Sequence, residues 1–182
     1  MQEIYISVDV EAAGPVPGTY SMLSLGAVVV NDPKQTFYVE LKPVNDKFVP
    51  DAMEIVGRSL RDFAEKGREP KEAMAAFLDW LTRIAKAGKP VFVGFNATFD
   101  WAFVNFYFHQ YIGENPFGFG GIDIKSYYMG LTGCTWDETR SSRIRAEFKG
   151  TARHTHNALD DAIEQAEMFH RMMENAALGD KK

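Results

Sequence analysis

Residues 4–11, Ile-Tyr-Ile-Ser-Val-Asp-Val-Glu, carry an aliphatic side chain at every second position. A β-strand sends successive side chains to opposite faces, so Ile4, Ile6, Val8 and Val10 share one face while Asp9 and Glu11 project from the other. The chain therefore opens on a strand with an apolar face and two like charges near its end. Repulsion and lost solvation disfavour the ionised pair unless a cation or hydrogen-bond donors offset the cost. A hard divalent cation such as Mg²⁺ or Mn²⁺, which takes oxygen ligands, meets that need. Two solvated acids on an exposed strand edge would also account for an isolated Asp-x-Glu.

Two further acidic positions arrive in suggestive frames. Val91-Phe92-Val93-Gly94-Phe95-Asn96 reads as a short buried strand ending in a turn, and Phe99-Asp100-Trp101-Ala102-Phe103-Val104 opens an aromatic helix. Asp100 thus lies at a strand-to-helix junction, where ligands of open α/β sheets gather. A first-turn acid favouring the helix dipole is the alternative, although Asn96 and Thr98 are also available as caps. The third frame, His156-Asn157-Ala158-Leu159-Asp160-Asp161, leads into a helix whose Ala162, Ala166, Phe169 and Met173 recur at helical spacing. Asp9, Glu11, Asp100 and Asp161 with His156 form the set that two-metal phosphoryl chemistry uses, acids fixing two ions ~4 Å apart and a base taking a proton from water.

A coarse pass predicts strands near 4–11, 23–30 and 36–42, then helices around 50–65 and 71–87. A strand at 91–95, a helix at 99–111, a short strand at 121–124, a helical stretch at 125–131 and a last helix at 157–176 follow. This order predicts an α/β fold with a mixed central β-sheet flanked by α-helices. The chain has 182 residues with no linker, charge block or internal repeat, so residues 1–182 are expected to form one domain. Cys134 is the only cysteine, and no stretch is apolar over membrane length, which points to a cytoplasmic protein without a membrane partner.

A net charge of −5 argues against a non-specific nucleic-acid coat. A local footprint is nevertheless available, since Arg140, Arg143, Arg145, Lys149 and Arg153 precede His156 with only Glu147 against them. The run reads either as a solvated loop or as a basic lid that meets a phosphate backbone. Phe103, Phe106, Tyr107 and Tyr111 form a stripe on the aromatic helix. Core packing suits most of them, and base stacking is a second role for Phe103.

Asp9-Val10-Glu11, Gly94-Phe95-Asn96-Ala97-Thr98-Phe99-Asp100 and His156-x-Ala-x-x-Asp161 resemble the three motifs of the DEDDh 3′-to-5′ exonucleases, the superfamily of ribonuclease T, oligoribonuclease and polymerase proofreading subunits. The resemblance spans nearly the whole chain, with Leu23-Ser24-Leu25-Gly26-Ala27-Val28 at the second strand and Ile122-Asp123 at a late one. It implies a ribonuclease H-like fold. It also implies that Asp9, Glu11, Asp100 and Asp161 hold two Mg²⁺ or Mn²⁺ ions, with His156 as general base. The substrate would be the 3′ end of a single-stranded nucleic acid, RNA or DNA, cleaved to nucleoside 5′-monophosphates, with a homodimer left open. On an ideal helix His156 would align with Asp160, about 40° away, rather than with Asp161, about 140° away. The family spacing selects Asp161, because its histidine precedes the regular helix. His154 competes for the same role from two residues upstream. One departure follows the first motif. Many relatives carry Thr-Gly-Leu there, whereas this chain has Ala12-Ala13-Gly14-Pro15-Val16-Pro17-Gly18, so no base-wedging residue carries over. Two other readings stay open, a non-catalytic nucleic-acid-binding or polymerase-associated module and a phosphoesterase acting on nucleotides.

Overall fold

The computed structural model describes residues 2–148, 150 and 155–179. Five strands, β1 (Glu3–Ala12), β2 (Met22–Val29), β3 (Asp32–Glu40), β4 (Lys89–Gly94) and β5 (Gly121–Asp123), form one sheet in the order β3-β2-β1-β4-β5. Strand β2 runs antiparallel to both β1 and β3, whereas β4 lies parallel to β1 and β5 parallel to β4. The sheet is therefore mixed, and β1 sits at its centre.

Around it lie α1 (Pro50–Val56), α2 (Leu60–Lys66), α3 (Pro70–Ala85), α4 (Thr98–Tyr111), α5 (Ile124–Thr132), α6 (Ser141–Phe148) and α7 (Ala158–Gly179). One sheet face takes Ile6, Val8 and Val10 into a core with Phe77, Phe103, Tyr107 and Phe108 of α3 and α4. The opposite face packs Val28 and Val93 against Tyr128, Ile144, Ala162 and Phe169 of α5, α6 and α7. Strand β2 is buried along its whole length, as expected of a strand covered on both sides. Among the described residues, no helix is long and apolar enough to cross a membrane.

Two local predictions are corrected. The helix expected over 50–65 is two helices, because Gly57 adopts a left-handed φ of 69° and closes α1 through its N–H to the Met53 carbonyl. Ser59 and Asp62 then exchange capping-box hydrogen bonds that start α2. The second correction is α6, which occupies much of the stretch read as a loop or lid. Its Ile144 and Phe148, four residues apart, are buried against the α7 side of the sheet. Arg143 pairs with Glu138 at 2.5 Å and Arg145 with the buried Glu164 at 3.0 Å, so two charges of the basic run are engaged within the molecule. Lys149, Arg153 and His154 lie outside the described residues.

Candidate active site

Strand β1 carries Asp9 and Glu11 on the α7 face, at the end where its register with β2 shifts between Glu11 and Ala12. Asp9 lies directly across from Gly26 of β2. A Cβ at Gly26 would come within 2.3 Å of the Ala158 carbonyl and of Leu159 N, so the first turn of α7 rests its backbone on that glycine. The close approach brings the start of α7 to the carboxylates of β1.

His156 precedes α7 with a φ of 57°, a left-handed conformation uncommon outside glycine. Wheel arithmetic therefore does not apply to it. The next residue, Asn157, turns its Oδ1 back to accept from Leu159 N at 3.0 Å and caps the helix. Asp161, only 2% exposed, accepts from Thr155 N at 3.0 Å. The ligand atoms of Glu11, His156 and Asp161 all lie within 4.8 Å of one another. Asp160 faces elsewhere, accepting from Thr155 Oγ1 at 2.8 Å on the exposed side.

Asp100 arrives from the first turn of α4 and is 4% exposed. Parallel pairing of β1 with β4 ends at Ser7 and Val93. Beyond that point the Val10 amide donates to Asp100 Oδ1 at 2.9 Å. The carboxylate thus extends the hydrogen bonding of β1 where β4 has stopped, while standing in the first turn of α4. Neither Asn96 nor Thr98 caps α4 by its side chain. Phe103 is fully buried, which removes it as a base-stacking surface.

Two residues at the site were not singled out by the sequence. Asp123 accepts from Ala97 N at 2.8 Å and from Ser126 N at 2.7 Å, pinning the turn that leads to Asp100 while capping α5. Gln165 of α7 donates to Asp9 Oδ1 at 2.6 Å and accepts from Phe95 N at 2.8 Å. The i, i+4 spacing of Asp161 and Gln165 on one helix was the signal available for the latter. For Asp123 the signal was an aspartate ending a strand three residues before a serine.

The electrostatics are those of acids held together against their charge. Desolvation, then the charges of Asp100, Glu11 and Asp161, push Asp9 well above the usual carboxylate range, with only the Gln165 hydrogen bond acting the other way. Glu11 is raised to about 8, by burial first and then by Asp161 and Asp100. Burial also raises Asp100 to about 7, against the lowering effect of the Val10 amide. Hard oxygen donors that penalise one another's ionisation, with an imidazole alongside, fit a divalent cation.

Comparison with known proteins agrees with this geometry. A family model described as exonuclease matches residues 6–169. The 3′-5′ DNA exonuclease Cap18 of Escherichia coli is 48% identical over 169 residues, covering 92% of this chain and 90% of that protein. Among solved structures, the nuclease domain of 3′hExo, a DEDDh family member bound to rAMP, superposes with a TM-score of 0.76 at 15% identity, over 94% of this chain and 92% of that one. The zinc-bound form of an E. coli ExoI–ssDNA complex gives a TM-score of 0.69 at 19% identity, covering 100% of this chain and 43% of that one. These superpositions establish the mixed-sheet, ribonuclease H-like architecture of the DEDDh nucleases.

Proposed function

The chain belongs to the exonuclease family as a 3′-to-5′ exonuclease of DEDDh type, and on that footing we propose that it shortens single-stranded DNA, releasing nucleoside 5′-monophosphates. The choice of DNA follows the E. coli relative, a DNA exonuclease at 48% identity. Single strands are favoured by the likeness to the ExoI–ssDNA complex. The observation that carries the reading is the convergence of Glu11, His156 and Asp161 within 4.8 Å, beside Asp9 and the buried Asp100.

Asp9, Glu11, Asp100 and Asp161 would hold two divalent cations, Mg²⁺ or Mn²⁺. Bound there, such ions neutralise charge on the phosphate and make the attacking water more acidic. His156 accepts that water's proton. The water oxygen forms the new bond to phosphorus while the bond to the 3′ oxygen of the preceding nucleotide breaks, and that oxygen leaves to take up a proton. Desolvation of the acids strengthens their hold on the cations, because opposite charges attract more strongly where water is scarce.

Digestion of matched, 5′-labelled DNA and RNA oligomers with Mg²⁺ or with Mn²⁺ tests the assignment. Faster stepwise shortening of single-stranded DNA is expected. A preference for RNA, or for a mononucleotide ester over any oligomer, would overturn the substrate class.

A further inference from the structure

We propose that Gln165 is a positioning residue for Asp9, fixing the orientation of that carboxylate for the cation it holds. The inference rests on Asp9 being a metal ligand, as argued above.

Its two hydrogen bonds fix which end of the amide is which. The Phe95 N–H can only donate, so Gln165 Oε1 must face it, at 2.8 Å. Nε2 then points at Asp9 and donates to Oδ1 at 2.6 Å. The side chain is 6% exposed, so water competes little for either bond. A carboxylate that must keep one oxygen on a fixed donor loses rotation about its Cβ–Cγ bond. Its other oxygen and remaining lone pair are then presented in one direction.

The location of the amide argues for a role beyond packing. Gln165 lies one turn beyond Asp161 on α7, so a single helix face supplies both a carboxylate and the donor that orients another. Phe95 lies just past β4, in the turn that leads into α4 and Asp100. One amide therefore ties together the three segments that bring Asp9, Asp100 and Asp161 to the site. Ala162 and Ala166, both buried against the sheet, leave α7 near enough for a glutamine to span the gap.

The test begins with Mn²⁺ titration of wild-type protein and of Gln165→Met, which keeps length and volume but lacks the donor. The Mn²⁺ dissociation constant is expected to rise about 10- to 100-fold, the usual penalty for losing an outer partner of a ligand. A matching fall in kcat with unchanged KM for DNA should accompany it. Equal Mn²⁺ affinity in the two proteins would overturn the inference. Absence of Mn²⁺ binding in the wild type would instead overturn the metal-site reading beneath it. A second measurement needs no variant. The side-chain amide resonances of Gln165 in wild-type protein should shift on Mg²⁺ addition and saturate together with metal binding. Resonances unmoved at saturating Mg²⁺ would contradict the role, whether or not Gln165→Met folds.

Discussion

Asp100 and Glu11 raise the proton affinity of Asp9, and Asp161 with Asp100 raises that of Glu11, so the grouping that penalises these charges suits the cation binding proposed for them. Removing one anionic oxygen should therefore act on metal binding, whereas removing the base should act on proton transfer. Asp9→Asn and Asp100→Asn are expected to weaken Mn²⁺ binding and nearly abolish turnover. His156→Ala should bind Mn²⁺ normally and lose about 10²- to 10⁴-fold in kcat, with the residual rate rising with pH. Asp160, bonded to Thr155 on the exposed side, should tolerate Asn far better than Asp161 does. Binding isotherms and single-turnover rates on these variants separate the roles, and inactivation by Asp160→Asn with an active Asp161→Asn would refute the third-motif assignment. The pH dependence follows from Glu11, whose folded-state value of about 8 lies above its ordinary 4.5. The metal-free native state holds that proton more tightly than the unfolded chain does. This contribution to stability is full below about 4.5 and disappears as pH rises through about 8. A cation binds the ionised form, so the gain in Tm from Mn²⁺ over chelator should widen from about pH 6 to about pH 8. A gain that narrows over that interval would contradict the shift.

The strands and helices position these groups through a few close approaches. Gly26 is the one beneath α7, where the backbone of Ala158 and Leu159 occupies the space a side chain would need. Gly26→Val should push the first turn of α7 away from β2, separating Asp161 and His156 from Asp9 and Glu11. The expected result is a loss of about 1–3 kcal/mol in stability with a larger proportional loss of Mn²⁺ affinity. Calorimetry beside metal titration would detect it, and an unchanged Mn²⁺ affinity would show that α7 can retreat without disturbing the site. Much of this layout was legible in the sequence. The alternation at Ile4–Val10 showed which face of β1 the acids share, and the strand expected near 23–30 is β2, whose burial along its whole length the structure adds. Other features depend on contacts between distant segments. Asp9 and Gln165 are 156 positions apart, so nothing local marks their hydrogen bond. Helix α6 was obscured because its arginines suggest a solvated loop, and their partners Glu138 and Glu164 are recognisable only in the fold. The break at Gly57 was readable in principle, but the apolar periodicity across 50–65 masked it.

Taken as one molecule, the mixed sheet puts its central strand between two separate cores and leaves the end of that strand for chemistry. Residues 9–11, 100 and 156–161 converge there from β1, α4 and the start of α7, a convergence that follows from parallel β1/β4 pairing and from α7 lying across β1 and β2. The net charge of −5 means that the surface as a whole does not draw in DNA, so affinity for a phosphate backbone should depend on cations held at the site. Whether one metal-dependent centre at this strand end shortens DNA from the 3′ terminus is tested most directly by the product ladder of a 5′-labelled single-stranded oligonucleotide. The ladder would be followed over time with Mn²⁺, with excess chelator, and with Asp100→Asn in place of the wild type. The expected outcome is a ladder that shortens one nucleotide at a time from the 3′ end with Mn²⁺, and intact substrate in the other two reactions. Internal cuts, or equal shortening in chelator or by Asp100→Asn, would contradict the account.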